Sequence, residues 1–369
     1  GHPGQSVLVA AEPELPVVDL TALSAEQALA QARELARREA QAPFDLARGP
    51  LLRGLVAHLP GGRDALMITM HHIVADGWSM NALVGELSAL LAGTSLSTAA
   101  PLKYIEVAQW QNALLQGEAL QRQRDYWFSR LGDELPQLEL PADRARPPVL
   151  SYRGDTRSRR LSPALAAALR SLARAHNATL FMALLAAYKA LLARIGGQQD
   201  LLVGTPIAGR RDPALEAVVG FFVNTLVLRT HVGGGASVAE LLGRVRETAL
   251  CAWAHADYPF DMLVEDLNPP RQMGRHPLFN VVCTLQNEVE RAADGGGFAG
   301  YATESLSDAP PFAKFDLSMF VTEVDDTLLV QLEYSTDLFD ASRIDRTLLQ
   351  FERLLEAAVA DPARSLDRV

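Results

Sequence analysis

Apolar and polar positions recur along this chain at two periods, and the switches between them outline its elements. Ala65-Leu66-Met67-Ile68-Thr69-Met70 is an apolar run that reads as a buried strand, and after Gly77 the residues Leu83, Leu87, Leu90 and Leu91 recur at helical spacing. Upstream, Ser24-Ala25-Glu26-Gln27 has capping-box spacing ahead of a helix reaching about Ala40, and Leu51 to Leu59 reads as a strand. Glu106 to Leu131 has a helical pattern that Gly117 is placed to interrupt. Pro136, Pro141, Pro147, Pro148 and Gly154 then crowd a stretch that cannot sustain a helix, and the first domain boundary is expected there.

The second half alternates again. Ser162-Pro163 is an N-cap followed by proline at the first helical position, opening a helix to about Ala175. Thr179 to Ile195 is a strongly apolar helix that Gly196 is expected to end. Asp200 to Pro206 and Leu226 to His231 read as strands, and Ser237-Val238-Ala239-Glu240 caps a helix running toward Trp253. Strand signals at Phe279 to Leu285, Leu317 to Val324 and Leu328 to Tyr334 precede an amphipathic helix from Ala341 to Ala360.

Composition narrows the class. A chain of 369 residues exceeds a typical single core and suggests two domains. With 49% hydrophobic and 21% charged residues it reads as globular rather than disordered. No uninterrupted apolar run approaches the ~20 residues a membrane helix needs, and no signal peptide is recognised, so a cytoplasmic protein without a membrane partner is expected. A net charge of -10 argues against nucleic-acid binding through a general positive field. Cys251 and Cys283 have neither CxxC spacing nor accompanying His ligands and read as reduced thiols, with no metal. The crowded Arg144, Arg146, Arg153, Arg157, Arg159 and Arg160 read either as a solvated linker or as a surface for an acidic or phosphate-bearing partner.

The chemistry concentrates at Met70-His71-His72-Ile73-Val74-Ala75-Asp76-Gly77-Trp78-Ser79, directly after an apolar strand. Neighbouring residues on an extended backbone point to opposite faces, so His71 and His72 are not expected to share one substrate or one metal. A bare His-His pair reads first as two satisfied structural histidines; the addition of Asp76-Gly77-Trp78-Ser79 favours one chemical histidine presented at a strand edge. Gly77 is expected to take a positive φ at a sharp exit. The chain has no GxSxG elbow and no cysteine placed like a protease nucleophile.

This HHxxxDG run resembles the signature of condensation domains of nonribosomal peptide synthetases, relatives of chloramphenicol acetyltransferase. Four further segments match in order. Tyr104 to Trp110 resembles the family's YxDxAxW, and Val219-Gly220-Phe221-Phe222-Val223-Asn224-Thr225-Leu226 resembles GxFVNT. His255 to Asp261 is similar to HQDxPFE with Ala256 in place of the usual Gln, and Arg275-His276-Pro277-Leu278-Phe279 to RNPLF. The opening RHExLRT segment usual in the family is not found, and Gly1-His2-Pro3-Gly4 reads as a remnant of an expression tag. An N-terminally incomplete first subdomain of uncertain activity is therefore expected, without the Arg that usually neutralises the Asp matching Asp76.

The resemblance implies an α/β (α+β) fold of two acetyltransferase-like subdomains, each a mixed sheet with flanking helices, arranged in a V around a tunnel. Here they are assigned to residues 1–145 and 146–369. It implies amide formation by attack of a carrier-bound amine on a carrier-bound acyl or peptidyl thioester. No cofactor is bound intrinsically; phosphopantetheine arms come from donor and acceptor carrier proteins, beside adenylation and carrier domains of a synthetase. On this reading His72 handles the proton, His71 supports it, Asp76 orders the loop and the Gly77 amide stabilises an oxyanion. Trp78 and Ser79 line the substrate passage, Asn224 and Thr225 flank it, and Arg210 and Arg211 contact the carrier or its phosphopantetheine. Two rivals remain: a stand-alone acyltransferase using coenzyme A or carrier thioesters, and a catalytically silent domain that recruits carriers.

Overall fold

A computed structural model gives the architecture and describes residues 4–5, 14–96, 102–132, 134–233, 235–286 and 312–368. Of the described residues, those within 1–101 and 216–221 form one compact unit, and those within 102–215, 222–291 and 311–369 form another.

In the first unit, β2 (Leu52–Leu59) and β3 (Arg63–Met70) form an antiparallel hairpin in full register from Leu52 opposite Met70 to Leu59 opposite Arg63. A short parallel strand, β1 (Val17–Asp19), lies along β2 and makes the sheet mixed. One face of the hairpin supplies Ala57, Leu59, Ala65 and Met67, and helix α1 (Ala25–Gln41) closes over it with Ala28 and Ala32. The expected capping box starts α1: Ser24 Oγ accepts from the Gln27 N–H and the Gln27 side chain accepts from the Ser24 N–H. Helix α2 (Gly77–Leu91) follows β3 after a six-residue loop, residues 71 to 76.

The second unit begins with α3 (Tyr104–Leu114) and α4 (Gly117–Leu131); Gly117, at φ +57°, breaks the long helical pattern where expected. Its mixed sheet of six strands has the order β4-β9-β8-β7-β5-β6. The strands are β4 (Gly154–Leu161), β5 (Asp200–Ile207), β6 (Asn224–His231), β7 (Val281–Gln286), β8 (Leu317–Val324) and β9 (Thr327–Ser335). β7 runs parallel to both its neighbours, β5 and β8, and β5 is buried almost end to end, as its apolar run requires. Helices α5 (Pro163–Ala175), α6 (Leu180–Gly196), α7 (Val238–Ala254) and α9 (Ala341–Ala360) pack together beside the sheet. α8 (Phe260–Leu267) packs on α4. From Phe181 to Leu192 every residue of α6 is buried, which explains its all-round apolar sequence.

Several expectations shift. The second compact unit takes in residues from Leu102, and Trp127 and Leu131 of α4 sit in its core. α6 ends one residue later than expected, at the left-handed Gly197 (φ +67°). Sequence pattern did not reveal β1, β4 or α8. β4 reads Gly-Asp-Thr-Arg-Ser-Arg-Arg-Leu, and its polarity hides a strand that, among the described residues, pairs as a strand with β9 alone. The arginines around it form ion pairs: Arg144 with Asp340, Arg146 with Asp316, Arg153 with Asp337, Arg157 with Asp345 and Arg159 with Glu352. They stitch the proline-rich stretch and the edge strand to the rest of the unit instead of lining a solvated linker. Cys251 and Cys283 are free thiols, and burial pushes the Cys283 thiol up to about 12. No single helix among the described residues is long and apolar enough to cross a membrane. Residues 1–3, read as part of a tag remnant, lie outside the described residues.

Candidate active site

Strand β3 ends at Met70, and the backbone turns at once: the His71 N–H still donates to the Leu51 carbonyl (3.0 Å), while the Val74 N–H donates back to the His71 carbonyl (3.1 Å). The two histidines diverge in this turn. His71 Nδ1 accepts from the Ile73 N–H (3.1 Å), and its ring meets Phe44 edge-on at 5.7 Å. His72 is exposed; its Nδ1 lies 2.6 Å from the Ala75 carbonyl oxygen and its ring stands at 81° to Phe221, centroids 5.1 Å apart.

That carbonyl decides the tautomer. A carbonyl oxygen only accepts, so Nδ1 of His72 must carry the proton, and in the neutral ring Nε2 is left with the lone pair. Nε2 makes no hydrogen bond among the described residues. For His71 the logic is reversed, because its Nδ1 accepts and its proton sits on Nε2. The loop thus holds one imidazole whose Nδ1 is committed to a carbonyl, with Nε2 the acceptor whenever the ring is neutral, and one tied back to its own backbone.

Asp76 is the N-cap of α2, 2% exposed, and its Oδ1 accepts from both the Ser79 N–H and the Ser79 hydroxyl, each at 2.8 Å. This helix-capping role accounts for Asp at this spacing. Ser79 is fully buried and also meets Gly220, whose carbonyl lies 2.9 Å from the Ser79 oxygen and whose N–H donates to it at 3.0 Å. Sequence reading put Ser79 at the substrate; in the folded chain its hydroxyl is spent inside the protein. Gly77 corrects another expectation. It is the first residue of α2 without a positive φ, it is exposed, and a Cβ there would meet nothing within 4 Å. No sharp turn requires glycine; its N–H belongs to the group of donors a helix start leaves unsatisfied within the helix. Trp78, next along, is half-buried.

The other anticipated residues belong to the second unit. Asn224 is a clamp: its Nδ2 donates to the Ala256 and Tyr258 carbonyls (2.9 and 2.8 Å), and its Oδ1 accepts from the Phe260 and Thr225 N–H groups (3.0 and 2.9 Å). Thr225, half-buried, is the second residue of β6, opposite Pro206. The Arg210 guanidinium covers the Phe222 ring at 4.1 Å and donates to the Leu215 carbonyl. Arg211 pairs with Asp257 (3.0 Å) and donates to the Trp253 carbonyl (2.8 Å). Both arginines therefore brace their own unit. Two neighbours of His72 were not marked as site residues by sequence reading: Ala75, which acts through its backbone, and Phe221, whose place beside a histidine 149 positions earlier leaves no local signal. No group of three or more potential metal-ligating side chains occurs among the described residues.

Comparison with known proteins sets this geometry in a family. The model of the Condensation domain family matches residues 1–369. The chain is 41% identical over 371 residues to a linear gramicidin synthase polypeptide of Brevibacillus parabrevis, covering 99% of this chain and 7% of that protein. It is 40% identical over 327 residues to a plipastatin synthase polypeptide of Bacillus subtilis (strain 168), covering 89% of this chain and 13% of that one. The chain thus spans only a small part of these relatives. Among solved structures, the X-domain from teicoplanin biosynthesis aligns with TM-score 0.86 and 28% identity over 99% of this chain and 84% of that one. The first condensation domain of the calcium-dependent antibiotic synthetase aligns with TM-score 0.73 and 25% identity over 96% and 80%. A family match across the full length, on a mixed α/β fold that carries the HHxxxDG loop between β3 and α2, makes this chain a member of the condensation-domain family.

Proposed function

We propose that this chain joins two carrier-tethered substrates, the amine of one attacking the acyl or peptidyl thioester of the other to form an amide. A carrier thiol is released. The observation that carries the reading is His72: exposed, with Nδ1 committed to the Ala75 carbonyl and Nε2 left as the acceptor. A thioester is already activated, so no covalent nucleophile is needed. Aligning two reactants supplies up to about 7–11 kcal/mol in favourable cases, and what remains is one proton. Neutral imidazole is a poor base for a resting ammonium but a competent one for the far more acidic amine of the tetrahedral intermediate. Nε2 of His72 takes that proton after attack and passes it to the departing sulfur, so that the C–N bond forms, the C–S bond breaks and the carrier leaves as the thiol.

The remaining roles follow the same logic. His71 supports the turn, and Asp76 with Ser79 fixes the start of α2. The exposed Gly77 N–H at that helix start is suited to stabilising the developing oxyanion. Trp78 is the proposed substrate contact next to the loop. Asn224 and Thr225 order the backbone of their own unit, and Arg210 and Arg211 hold the segment proposed to meet the carrier. Donor and acceptor carrier proteins, each with a phosphopantetheine arm, are the proposed partners, with adenylation and carrier domains as chain neighbours. The two synthase relatives support this, since the chain corresponds to a small part of each.

Loading donor and acceptor carriers, mixing them with the chain and weighing the products intact tests the proposal. A new amide on the acceptor carrier is expected, and His72→Ala lowers its formation by about 10²- to 10⁴-fold. Turnover of coenzyme A thioesters without any carrier points instead to a stand-alone acyltransferase. A tight carrier complex with no product from any donor points to recruitment.

A further inference from the structure

We infer that Phe221 is a positioning residue for His72, anchored through the hydrogen bonds between Gly220 and Ser79; the inference rests on the proposed role of His72 and adds a residue to that site. A single hydrogen bond from Nδ1 to the Ala75 carbonyl holds one atom of the ring. The torsion that swings an imidazole is broad, so one anchor does not by itself direct the Nε2 lone pair. Phe221 supplies the second anchor, standing across the ring at 5.1 Å and 81°.

Phe221 is 37% exposed, so burial alone does not hold it. Its backbone neighbour ties it to the loop: Gly220 makes both N–H and C=O contacts with the Ser79 hydroxyl, and Ser79 is fixed to the Asp76 carboxylate. The contacts close a circuit. His72 donates to the carbonyl of Ala75; Ala75 is bonded to Asp76; Asp76 accepts from Ser79; Ser79 meets Gly220; Gly220 is bonded to Phe221; and Phe221 returns to His72. The circuit starts and ends on the same loop. This accounts for the buried serine three residues after the aspartate and for an aromatic ring left half in water.

Phe221→Ala, Phe221→Leu and Phe221→Tyr, made in the full chain, test it with two readouts. The first is the rate of amide formation in a single turnover from loaded carriers. The second is the ¹⁵N signature of the His72 ring in the chain alone, which reports whether the proton stays on Nδ1. Phe221→Ala is expected to slow the single turnover about tenfold, equivalent to about 1.4 kcal/mol, with half-saturating carrier concentration within about twofold. The His72 signature is expected to become a mixture of tautomers. Phe221→Leu, which keeps apolar bulk without a ring, gives the same direction should the alanine variant not fold, and Phe221→Tyr restores both readouts. Native tautomer signals in the alanine or leucine variant overturn the inference, whatever the rate does. If the unaltered chain forms no amide from any loaded carriers, the proposed function fails, and the ¹⁵N signature still decides whether Phe221 positions the ring.

Discussion

Ser79 and Gly220 meet across 141 positions of sequence, the Gly220 N–H donating to the Ser79 oxygen at 3.0 Å and the Gly220 carbonyl lying 2.9 Å from it. A hydroxyl has a single proton, so it serves either the Gly220 carbonyl or the Asp76 carboxylate at any moment while accepting throughout from Gly220. Removing the oxygen strands a buried N–H and takes one donor from Asp76. Ser79→Ala is therefore expected to destabilise the chain by about 1–3 kcal/mol, read as a lower urea midpoint. An unchanged midpoint contradicts a structural role for the hydroxyl.

Asp76 is expected to be more tolerant of asparagine than of alanine. Asn retains an oxygen for the Ser79 N–H, whereas alanine uncaps α2 at a cost of about 0.5–2 kcal/mol. Thermal unfolding of both variants checks the order. An Asp76→Asn variant as damaged as Asp76→Ala argues that charge, rather than capping, is what the site needs.

Acid should destabilise the second unit through His276. Its ring packs among Phe260, Phe279 and Phe315, at 5.8, 4.7 and 5.0 Å, and its Nδ1 has no hydrogen-bond partner among the described residues. Burial pushes its pKa down to about 4, against about 6.5 in an unfolded chain. Between those values the unfolded chain holds more protons, so stability is lost as pH falls from about 6.5 to about 4, by roughly 3 kcal/mol, and the effect ends below 4. His276→Phe should flatten that segment of a stability-versus-pH curve; an equally steep curve in the variant places the acid sensitivity elsewhere.

Lys189 imposes a slope of the same sign at alkaline pH. Its ammonium is fully buried on α6, donating to the Leu228 carbonyl (2.6 Å) and Thr230 Oγ1 (2.9 Å), and burial lowers its pKa to about 7 from an ordinary value near 10.4. The unfolded chain holds the extra proton between those limits, so stability rises with pH from about 7 to about 10. Lys189→Met removes the proton and should remove the slope, which denaturant titrations of the two chains at pH 7 and pH 9.5 compare directly. A slope that survives the substitution contradicts the assignment.

Local rules made much of the fold legible. The Ser24–Gln27 box, Pro163 after Ser162 and the capped helix after Ser237 all begin helices where the sequence said they would, because an N-cap is settled by residues within one turn. The apolar run after Asp200 is a strand because burial sets its pattern. The run before His71 is a strand too, but not the buried one its apolar residues suggested: only Ala65 and Met67 are buried and Leu66 is 42% exposed. Three elements escaped. β1 is three residues long, β4 is polar because it lies at a sheet edge, and α8 is a helix of eight residues whose N-cap, Pro259, makes no side-chain cap hydrogen bond.

The candidate site divides the same way. The HHxxxDG loop and its place after a strand depend on neighbours within a few residues, so sequence alone determined them. It also determined the family, through segments whose order survives without coordinates. Only the tertiary structure decided which nitrogen of His72 carries the proton, that Ser79 is spent on Gly220, that Asn224 clamps four backbone groups, and that Phe221 stands against the imidazole. Each depends on a carbonyl or ring brought close by folding, and a string of side-chain types carries no trace of where a backbone carbonyl will end up pointing.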